Sequence, residues 1–147
     1  MQKRSNWKGK HELTWADIDY QVKILVDKIK KTGFEFDKIT TVARGGLIPA
    51  RLVADQFNIK KILVDRSKIY GKTLFVDDIY DTGNTFKKVI SRVIDKKNFV
   101  FATLVARKGI KYPKQLVYAK KTIDREYVVF PWDKLEYNRK QGKTAKR

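Results

Sequence analysis

The sequence predicts a single α/β domain, built on a mostly parallel sheet of about five strands that is flanked by helices. Apolar, strand-like segments alternate with segments of helical periodicity along most of the chain. The strand-like segments also lack a polar face, which is typical of strands covered by helices on both sides. At 147 residues, the chain is long enough for one hydrophobic core and short for two.

The first helix is predicted from residue 15 to about residue 31, where apolar side chains recur near helical spacing. Thr14 and Asp17 have the spacing of a capping box at its start. Gly33 provides a stop signal at its end. An amphipathic helix therefore precedes the first strand of the sheet.

A strand, a glycine turn and a helix are predicted next. Residues 37–43 (DKITTVA) form a β-branched run that ends abruptly at residues 44–46 (RGG), and Pro49 suits the first turn of a helix. Two further strands are predicted at residues 60–65 (KKILVD) and 73–78 (TLFVDD).

The second half of the chain continues the alternation. Residues 85–95 (TFKKVISRVID) have helical periodicity, and residues 98–106 (NFVFATLVA) form an apolar strand. Residues 115–121 (QLVYAKK) and 126–132 (EYVVFPW) are predicted to be short strands, or a small ribbon or hood, at one edge.

Charge is the most unusual feature of the composition. The chain has 34 Lys and Arg against 16 Asp and Glu, a formal net charge of +18. Such a positive field attracts polyanions, and both nucleic acid and phosphate-rich small molecules qualify. Much of the charge lies in residues 1–12 and 134–147, which we expect to be solvated basic tails around a domain of residues 13–133. A nucleic-acid-binding arm is the alternative to a role in solubility.

Several classes of function are excluded or disfavoured. Cysteine is absent, which excludes disulfides, thiolate catalysis and cysteine zinc sites, and the single histidine, His11, disfavours histidine-based sites. Neither a membrane-spanning run of about 18 apolar residues nor an apolar secretion signal occurs. We therefore expect a cytoplasmic protein without membrane contact.

The strongest functional signal is residues 76–85 (VDDIYDTGNT). Asp77 and Asp78 end an apolar strand, and ligands of open α/β sheets bind beyond such strand ends. The following turn offers backbone N–H groups, hydroxyls and a helix dipole to a phosphate. The two carboxylates can accept from the hydroxyls of an attached ribose or hold water on Mg²⁺. Each feature alone is common as a cap or turn, but their combination favours a binding site.

This segment resembles the signature of type I phosphoribosyltransferases, which binds phosphoribosyl pyrophosphate together with Mg²⁺. Residues 42–50 (VARGGLIPA) are similar to the pyrophosphate loop of that family, although alone they also fit an ordinary strand-to-helix turn. The resemblance implies that phosphoribosyl pyrophosphate binds to Arg44, Gly45, Gly46, Asp77, Asp78, Asp81, Thr82, Gly83, Asn84 and Thr85.

Within the family, the chain is most similar to the xanthine-guanine enzymes of bacteria and archaea, from about residue 13 to residue 133. The shared segments are residues 13–15 (LTW), 43–50 (ARGGLIPA), 76–85 and 130–133 (FPWD). This similarity implies Mg²⁺-dependent transfer of the 5-phosphoribosyl group to guanine, xanthine or hypoxanthine in purine salvage, with a nucleoside monophosphate and pyrophosphate as products. It also implies a homo-oligomer, a dimer or a tetramer.

The same resemblance assigns the purine site. Arg107 matches the cation that donates to the purine 6-oxygen, with Lys108 as its competitor. Tyr127 matches the aromatic ring that stacks on the base, and the backbone of Val128 is left to contact the base edge. For Tyr127, and more so for Trp132, packing in the core is the alternative.

Two acids complete the expected site. Asp81 matches the acid near purine N7, and is the predicted catalytic residue because it can take the proton that the base loses. Asp78 and Asp133 are the predicted metal-contacting residues; Asp133 can orient either the purine-binding cation or a water molecule on the metal.

The chain departs from the family in two places. Only residues 66–72 (RSKIYGK) stand where family enzymes carry a long mobile loop, so the connection has the length of a tight hairpin and a shortened catalytic loop is expected. From this connection, Ser67, Lys68 and Tyr70 remain able to reach the pyrophosphate. Residues 128–130 (VVF) lack the glutamate of some relatives, which leaves the choice of purine base open.

Two other functions fit part of the pattern. A regulatory protein on the same fold, sensing phosphoribosyl pyrophosphate and binding nucleic acid through its basic surface, is favoured by the short loop and the net charge. A response-regulator-like phosphoacceptor also carries acids at a strand end beside Mg²⁺.

Overall fold

The computed structural model describes residues 7–123 and 125–146. The strands are β1 (Lys10–Glu12), β2 (Lys38–Thr41), β3 (Ile62–Val64), β4 (Thr73–Tyr80), β5 (Val100–Ala106), β6 (Leu116–Lys121) and β7 (Tyr127–Val129). The α-helices are α1 (Trp15–Thr32), α2 (Leu47–Gln56), α3 (Asn84–Ile90) and α4 (Lys134–Lys146), with 3₁₀ turns at Lys96–Asn98 and Pro131–Asp133.

Five strands form the main sheet in the order β3-β2-β4-β5-β6, and all four pairings are parallel. The predicted fold class is therefore confirmed. The chain leaves β2 toward β3 on one side and leaves β4 toward β5 on the other. The strand order thus reverses between β2 and β4, and the carboxyl ends of these two strands form the crevice in which such folds bind ligands.

Helix α1 begins and ends where the sequence predicts. The Thr14 hydroxyl accepts from the Asp17 backbone N–H at 3.1 Å, and the Asp17 carboxylate accepts from the Thr14 N–H at 2.8 Å. Gly33 ends the helix in the left-handed conformation with φ 72°. Together with α2, this helix covers one face of the sheet through buried Ile18, Leu25, Ile29, Ala50 and Val53.

The opposite face is covered by α3 and by residues 65–72, which connect β3 to β4. These strands are parallel and lie on either side of β2, so the connection, although it has only the length of a hairpin, is a crossover. Ile69 forms a β-bridge with Val93 and is only 3% exposed, in a cluster with the stacked rings of Phe75 and Phe101. A short extended segment therefore fills the place that a crossover helix usually takes.

Helix α3 is shorter than predicted, because it ends at Ile90 and not near residue 95. The Ser91 hydroxyl donates to the Lys88 carbonyl at 2.6 Å. Such a side-chain hydrogen bond competes with the backbone hydrogen bonds that would continue the helix. The chain then turns so that Val93 reaches Ile69 and becomes buried. A long-range strand contact overrides the helical periodicity of this segment.

Both predicted tails differ from expectation. Lys8 donates its N–H to the Arg125 carbonyl, and β1 pairs in parallel with β7, so a tail through residue 12 was wrong for residues 8–12. β1 and β7 form a two-stranded hood, in which β1 was not predicted, whereas β6 is the edge strand of the main sheet. The C-terminal segment is helical as α4. Within the described residues, no helix is long and apolar enough to cross a membrane.

If residues 65–72 are fastened by Ile69, Ile69→Ala should lower the free energy of unfolding by about 2–5 kcal/mol, because it leaves a cavity between the connection and the sheet. The neighbouring Tyr70 is 61% exposed, so Tyr70→Ala should change stability by less than about 0.5 kcal/mol. Chemical denaturation of both variants measures the difference. Equal effects would contradict the packing described for this segment.

Candidate active site

The turn after β2 lies directly against the end of β4. The Thr41 hydroxyl donates to the Val76 carbonyl at 2.6 Å and joins the two strand ends. A Cβ at Gly46 would collide with the Thr41 hydroxyl and lie 3.0 Å from the carbonyl oxygens of Val42 and Val76. Only glycine fits here, so the RGG turn can approach β4 closely.

Strand β4 continues for two residues beyond the acids, to Tyr80, and does not end at Asp78 as predicted. Backbone amides hold the two acids. The Asp78 N–H donates to the Asp77 carboxylate at 2.8 Å, and the Ile79 N–H donates to the Asp78 carboxylate at 2.7 Å. Asp77 is only 5% exposed. A Cβ at Gly45 would lie 2.8 Å from Asp78 Oδ2. The Asp78 carboxylate therefore faces the backbone of the RGG turn, which places the two predicted phosphate-binding segments side by side.

Burial gives these acids unusual proton affinities. It raises the pKa of Asp78 to about 6, and the nearby Asp133 charge adds to the rise. The pKa of Asp77 is raised well above its ordinary value, first by burial and then by the Asp78 charge. The pKa of Asp133 is also raised, by burial and by Glu136. Negative charge thus accumulates at this point, where a cation would be favourable.

The predicted metal ligands, Asp78 and Asp133, fit a Mg²⁺ ion that is shared with a substrate. Within residues 7–123 and 125–146, no group of three or more acidic, histidine or cysteine side chains could hold a metal ion alone. Mg²⁺, however, is usually bound through one or two carboxylates plus substrate phosphates and water. The half-buried carboxylates of Asp78 and Asp133 supply such a partial set of oxygen ligands.

Residues 77–86 line a cavity of about 110 Å³ together with Phe101. All four predicted phosphate-loop residues take part in it: Thr82, Gly83, Asn84 and Thr85. Gly83 has φ 91°, and a Cβ there would lie 2.8 Å from the Tyr80 hydroxyl. The local backbone therefore requires glycine, and the cavity is of a size for one phosphate group.

Arg107 lies at the site, and the Lys108 side chain is exposed. The Arg107 Nε donates to Asp81 Oδ1 at 2.8 Å, and its guanidinium also donates to the Glu126 carbonyl at 2.8 Å. The guanidinium therefore holds the carboxylate of the predicted catalytic residue in one orientation. Of the two cations considered from the sequence, the geometry favours Arg107.

Two aromatic residues surround Tyr127, the predicted stacking residue. Tyr137 of α4 stacks on it with ring centroids 5.5 Å apart, and Trp7 meets it edge-on at 5.7 Å. Trp7 also lies over the Arg107 guanidinium at 4.5 Å. The sequence interpretation missed Trp7 and Tyr137 because it placed both in tails. The available signal was an aromatic side chain in an otherwise polar, basic segment.

The remaining predicted residues divide between core and site. Val128 is buried at 9% exposure, so only its backbone can contact a base. Trp132 stacks on Phe130 at 4.9 Å and packs against the core, as its alternative interpretation holds. Arg44 is largely exposed and pairs with Glu136 at 3.8 Å.

A larger cavity, of about 320 Å³, lies behind the hood between α1, β6 and β7. Of the predicted site residues only Val128 lines it. Its other residues include His11, Tyr20 and Gln21. The chemistry-bearing side chains lie at the carboxyl ends of β2 and β4, and we therefore place the site there and not in the larger cavity.

Comparisons with known proteins show what the whole chain resembles. No protein-family model matches the chain. The xanthine-guanine phosphoribosyltransferase of Chromohalobacter salexigens is 26% identical and covers 82% of each chain. That of Desulfotalea psychrophila is 25% identical over 86% of this chain and 88% of its own. The crystal structure of a purine phosphoribosyltransferase from Pyrococcus horikoshii has a TM-score of 0.68 at 27% identity, covering 84% of this chain and 93% of that one.

The fold and the sequence are thus similar to those of the type I phosphoribosyltransferases, which are enzymes. The similarity to the xanthine-guanine enzymes that the sequence indicates is confirmed, since the curated relatives carry that name.

The raised pKa of Asp78 predicts that Asp78→Asn stabilises the protein when metal and substrate are absent. The folded-state pKa of about 6 lies above the ordinary value of 3.8, so the charged carboxylate opposes folding at pH 7. We expect the variant to gain about 1–3 kcal/mol at pH 7. Because the unaltered protein gains stability as Asp78 takes up a proton, the gap should close as the pH falls from 7 to about 4.

Denaturation at several pH values, with a chelator present, measures this gap. Asp19→Asn at an exposed position of α1 is the control. A variant less stable than the unaltered protein at pH 7 would contradict the assigned burial of charge.

Proposed function

We propose that the protein transfers the 5-phosphoribosyl group from phosphoribosyl pyrophosphate to a 6-oxopurine base in a Mg²⁺-dependent reaction. The products are a nucleoside monophosphate and pyrophosphate. The observation that carries this proposal is the pair of buried Asp77 and half-buried Asp78, with Asp78 against Gly45 and the phosphate-sized cavity beside it. One sugar with a phosphate on either side fits such an arrangement.

Each part of the proposed site binds a different group of phosphoribosyl pyrophosphate. The 5-phosphate occupies the cavity at residues 82–85, and the diphosphate lies on the RGG turn, where backbone amides and Arg44 meet it. The ribose hydroxyls donate to the carboxylates of Asp77 and Asp78. A bound Mg²⁺ supplies positive charge against the diphosphate, and Asp78 and Asp133 are the residues that hold it.

The reaction exchanges one bond at the ribose C1 for another. The bond from C1 to the diphosphate oxygen breaks, with the electron pair leaving on pyrophosphate, and a purine nitrogen forms the new bond to C1. The base loses a proton in this exchange, and Asp81 takes it. Arg107 keeps the Asp81 carboxylate oriented through the 2.8 Å hydrogen bond. The protein thus contributes position and electrostatics.

The purine site favours a base that carries a keto group. Arg107 is a pure hydrogen-bond donor beside Asp81, and the ring of Tyr127, on which Tyr137 now stacks, is a flat apolar surface. Both curated relatives described above are xanthine-guanine phosphoribosyltransferases, and this supports the same substrate class here. Assembly into a dimer or tetramer and a cytoplasmic location stay predictions.

Turnover tests the proposal directly. With phosphoribosyl pyrophosphate and Mg²⁺, we expect pyrophosphate release with guanine, xanthine or hypoxanthine and none with adenine, which lacks the 6-oxygen. The double variant Asp77→Asn, Asp78→Asn should bind phosphoribosyl pyrophosphate more than about tenfold more weakly. Asp19→Asn is again the matched control. Adenine as the preferred base, or full turnover by the double variant, contradicts the assignment.

A phosphoribosyl pyrophosphate sensor that binds nucleic acid is the second candidate. The net charge of +18 and the fastened, short β3–β4 connection favour it. Binding of RNA or DNA through many Lys and Arg side chains should weaken steeply between low and moderate salt. A filter-binding series that shows such binding, together with no turnover of any base, supports the sensor. The phosphoacceptor alternative is disfavoured because the relatives described above are phosphoribosyltransferases.

A further inference from the structure

Helix α4 lies over both halves of the proposed substrate site. Its Tyr137 ring stacks on Tyr127, the proposed platform for the base, with an interplanar angle of 24°. One residue earlier, Glu136 pairs with Arg44 of the RGG turn at 3.8 Å. The helix therefore contacts the base-binding side and the diphosphate-binding side at the same time.

This helix is attached loosely. From residue 134 to residue 141, Tyr137 alone is partly buried, and the other side chains are exposed. The Arg44 side chain is 80% exposed and that of Glu136 49% exposed, so their ion pair contributes little to stability. An isolated helix of this length is marginal in water. The position of α4 therefore depends on a few contacts that a substrate can replace.

The Glu136 carboxylate occupies a position in which the diphosphate of the substrate could make the same ion pairs. The Glu136 carboxylate lies between two cations, Arg44 at 3.8 Å and Lys140 at 3.7 Å. A diphosphate carries more negative charge than a carboxylate and makes stronger charge-assisted hydrogen bonds. It can take the place of Glu136 and keep both cations, which leaves α4 over the site with Lys140 in contact with the substrate.

The connection between β3 and β4 does not serve as a cover. Ile69 is buried against Val93, and the carbonyl of Lys72 accepts from the Asp37 N–H at 3.0 Å. All eight residues of the connection, 65–72, are needed to span the face of the sheet from β3 to β4. A cover for the site must come from another part of the chain, and α4 is already in contact with the residues to be covered.

We propose that α4 is the lid of the substrate site, and that Tyr137 and Lys140 are substrate-binding residues. The base enters between the rings of Tyr127 and Tyr137, which must move apart to admit it, and Lys140 joins Arg44 on the diphosphate in place of Glu136. This proposal rests on the proposed function, since it needs phosphoribosyl pyrophosphate and a purine as ligands. It adds a segment that the sequence interpretation had treated as a tail.

Two neighbouring charges on α4 should have opposite effects on binding. Lys140→Gln removes a cation from the diphosphate and should weaken binding of phosphoribosyl pyrophosphate with Mg²⁺ by about two- to fivefold. Glu136→Gln removes the competing carboxylate and should strengthen binding by a similar factor. Lys114→Gln also removes one positive charge and serves as the control. Lys114 precedes β6, at the amino ends of the parallel strands and away from the proposed site, so binding should be unchanged.

The proposed stacking of Tyr137 on the base can be tested separately, through the KM for the purine. Tyr137→Ala should raise KM for the purine base at least about fivefold, with a much smaller change in affinity for phosphoribosyl pyrophosphate. Tyr137→Phe keeps the ring and should restore the KM. A helix that only stabilises the fold would instead show parallel losses of affinity for both substrates in the Ala variant.

Calorimetric titration of the full chain with phosphoribosyl pyrophosphate and Mg²⁺ separates the possible failures. No binding by the unaltered protein overturns the proposed function and the lid together. Binding that responds equally to Lys140→Gln and Lys114→Gln overturns the lid alone. Tryptic cleavage after Arg139 or Lys140 should slow when phosphoribosyl pyrophosphate is added, because the lid closes; faster cleavage shows that α4 is expelled and overturns the lid.

Discussion

The adjacent carboxylates of buried Asp77 and half-buried Asp78 in β4 are the constraint on which the rest of the site depends. Charge in a buried position is unfavourable unless amides, a counterion or a proton balances it. Here the backbone N–H groups of Asp78 and Ile79 balance part of it. The Asp78 carboxylate also needs space, and Gly45 leaves that space because it has no side chain. The acids and the RGG turn therefore determine each other's geometry.

The charge of the site has the opposite sign to the net charge of the chain. The acids form a small negative region in a chain whose formal net charge is +18. The outer field draws anions toward the protein, while the inner carboxylates favour a cation and hydroxyl donors. A sugar diphosphate that arrives with a divalent cation satisfies both regions at once. The same acids oppose folding until ligand is bound, which is a common consequence of building a polar site into a core.

Local signals explain which parts of the fold could be predicted. The capping box at Thr14, the stop at Gly33 and the apolar strand before Asp77 each depend on residues close in sequence, and the structure agrees with all three. The end of α3 could not be predicted, because it depends on the bridge between Ile69 and Val93, which are 24 positions apart in the chain.

The site was predictable to a similar extent. The residues of the two loops could be proposed because glycine, threonine and paired acids have recognisable local chemistry, and the structure brings the two loops together. Trp7 and Tyr137 were missed because their meaning depends on Tyr127, which lies far from Trp7 in sequence and faces α4 only after the hood has formed. The basic, polar composition of residues 134–147 is typical of a tail. Only the contact of Tyr137 with Tyr127 shows that the segment packs against the domain.

A crystal structure of the protein with phosphoribosyl pyrophosphate and Mg²⁺ would show where each group of the substrate binds. We expect the 5-phosphate in the cavity at residues 82–85, the diphosphate on the RGG turn and the metal in contact with Asp78. A ligand bound in the larger cavity behind the hood, or phosphates held only by exposed Lys and Arg side chains, would contradict this expectation.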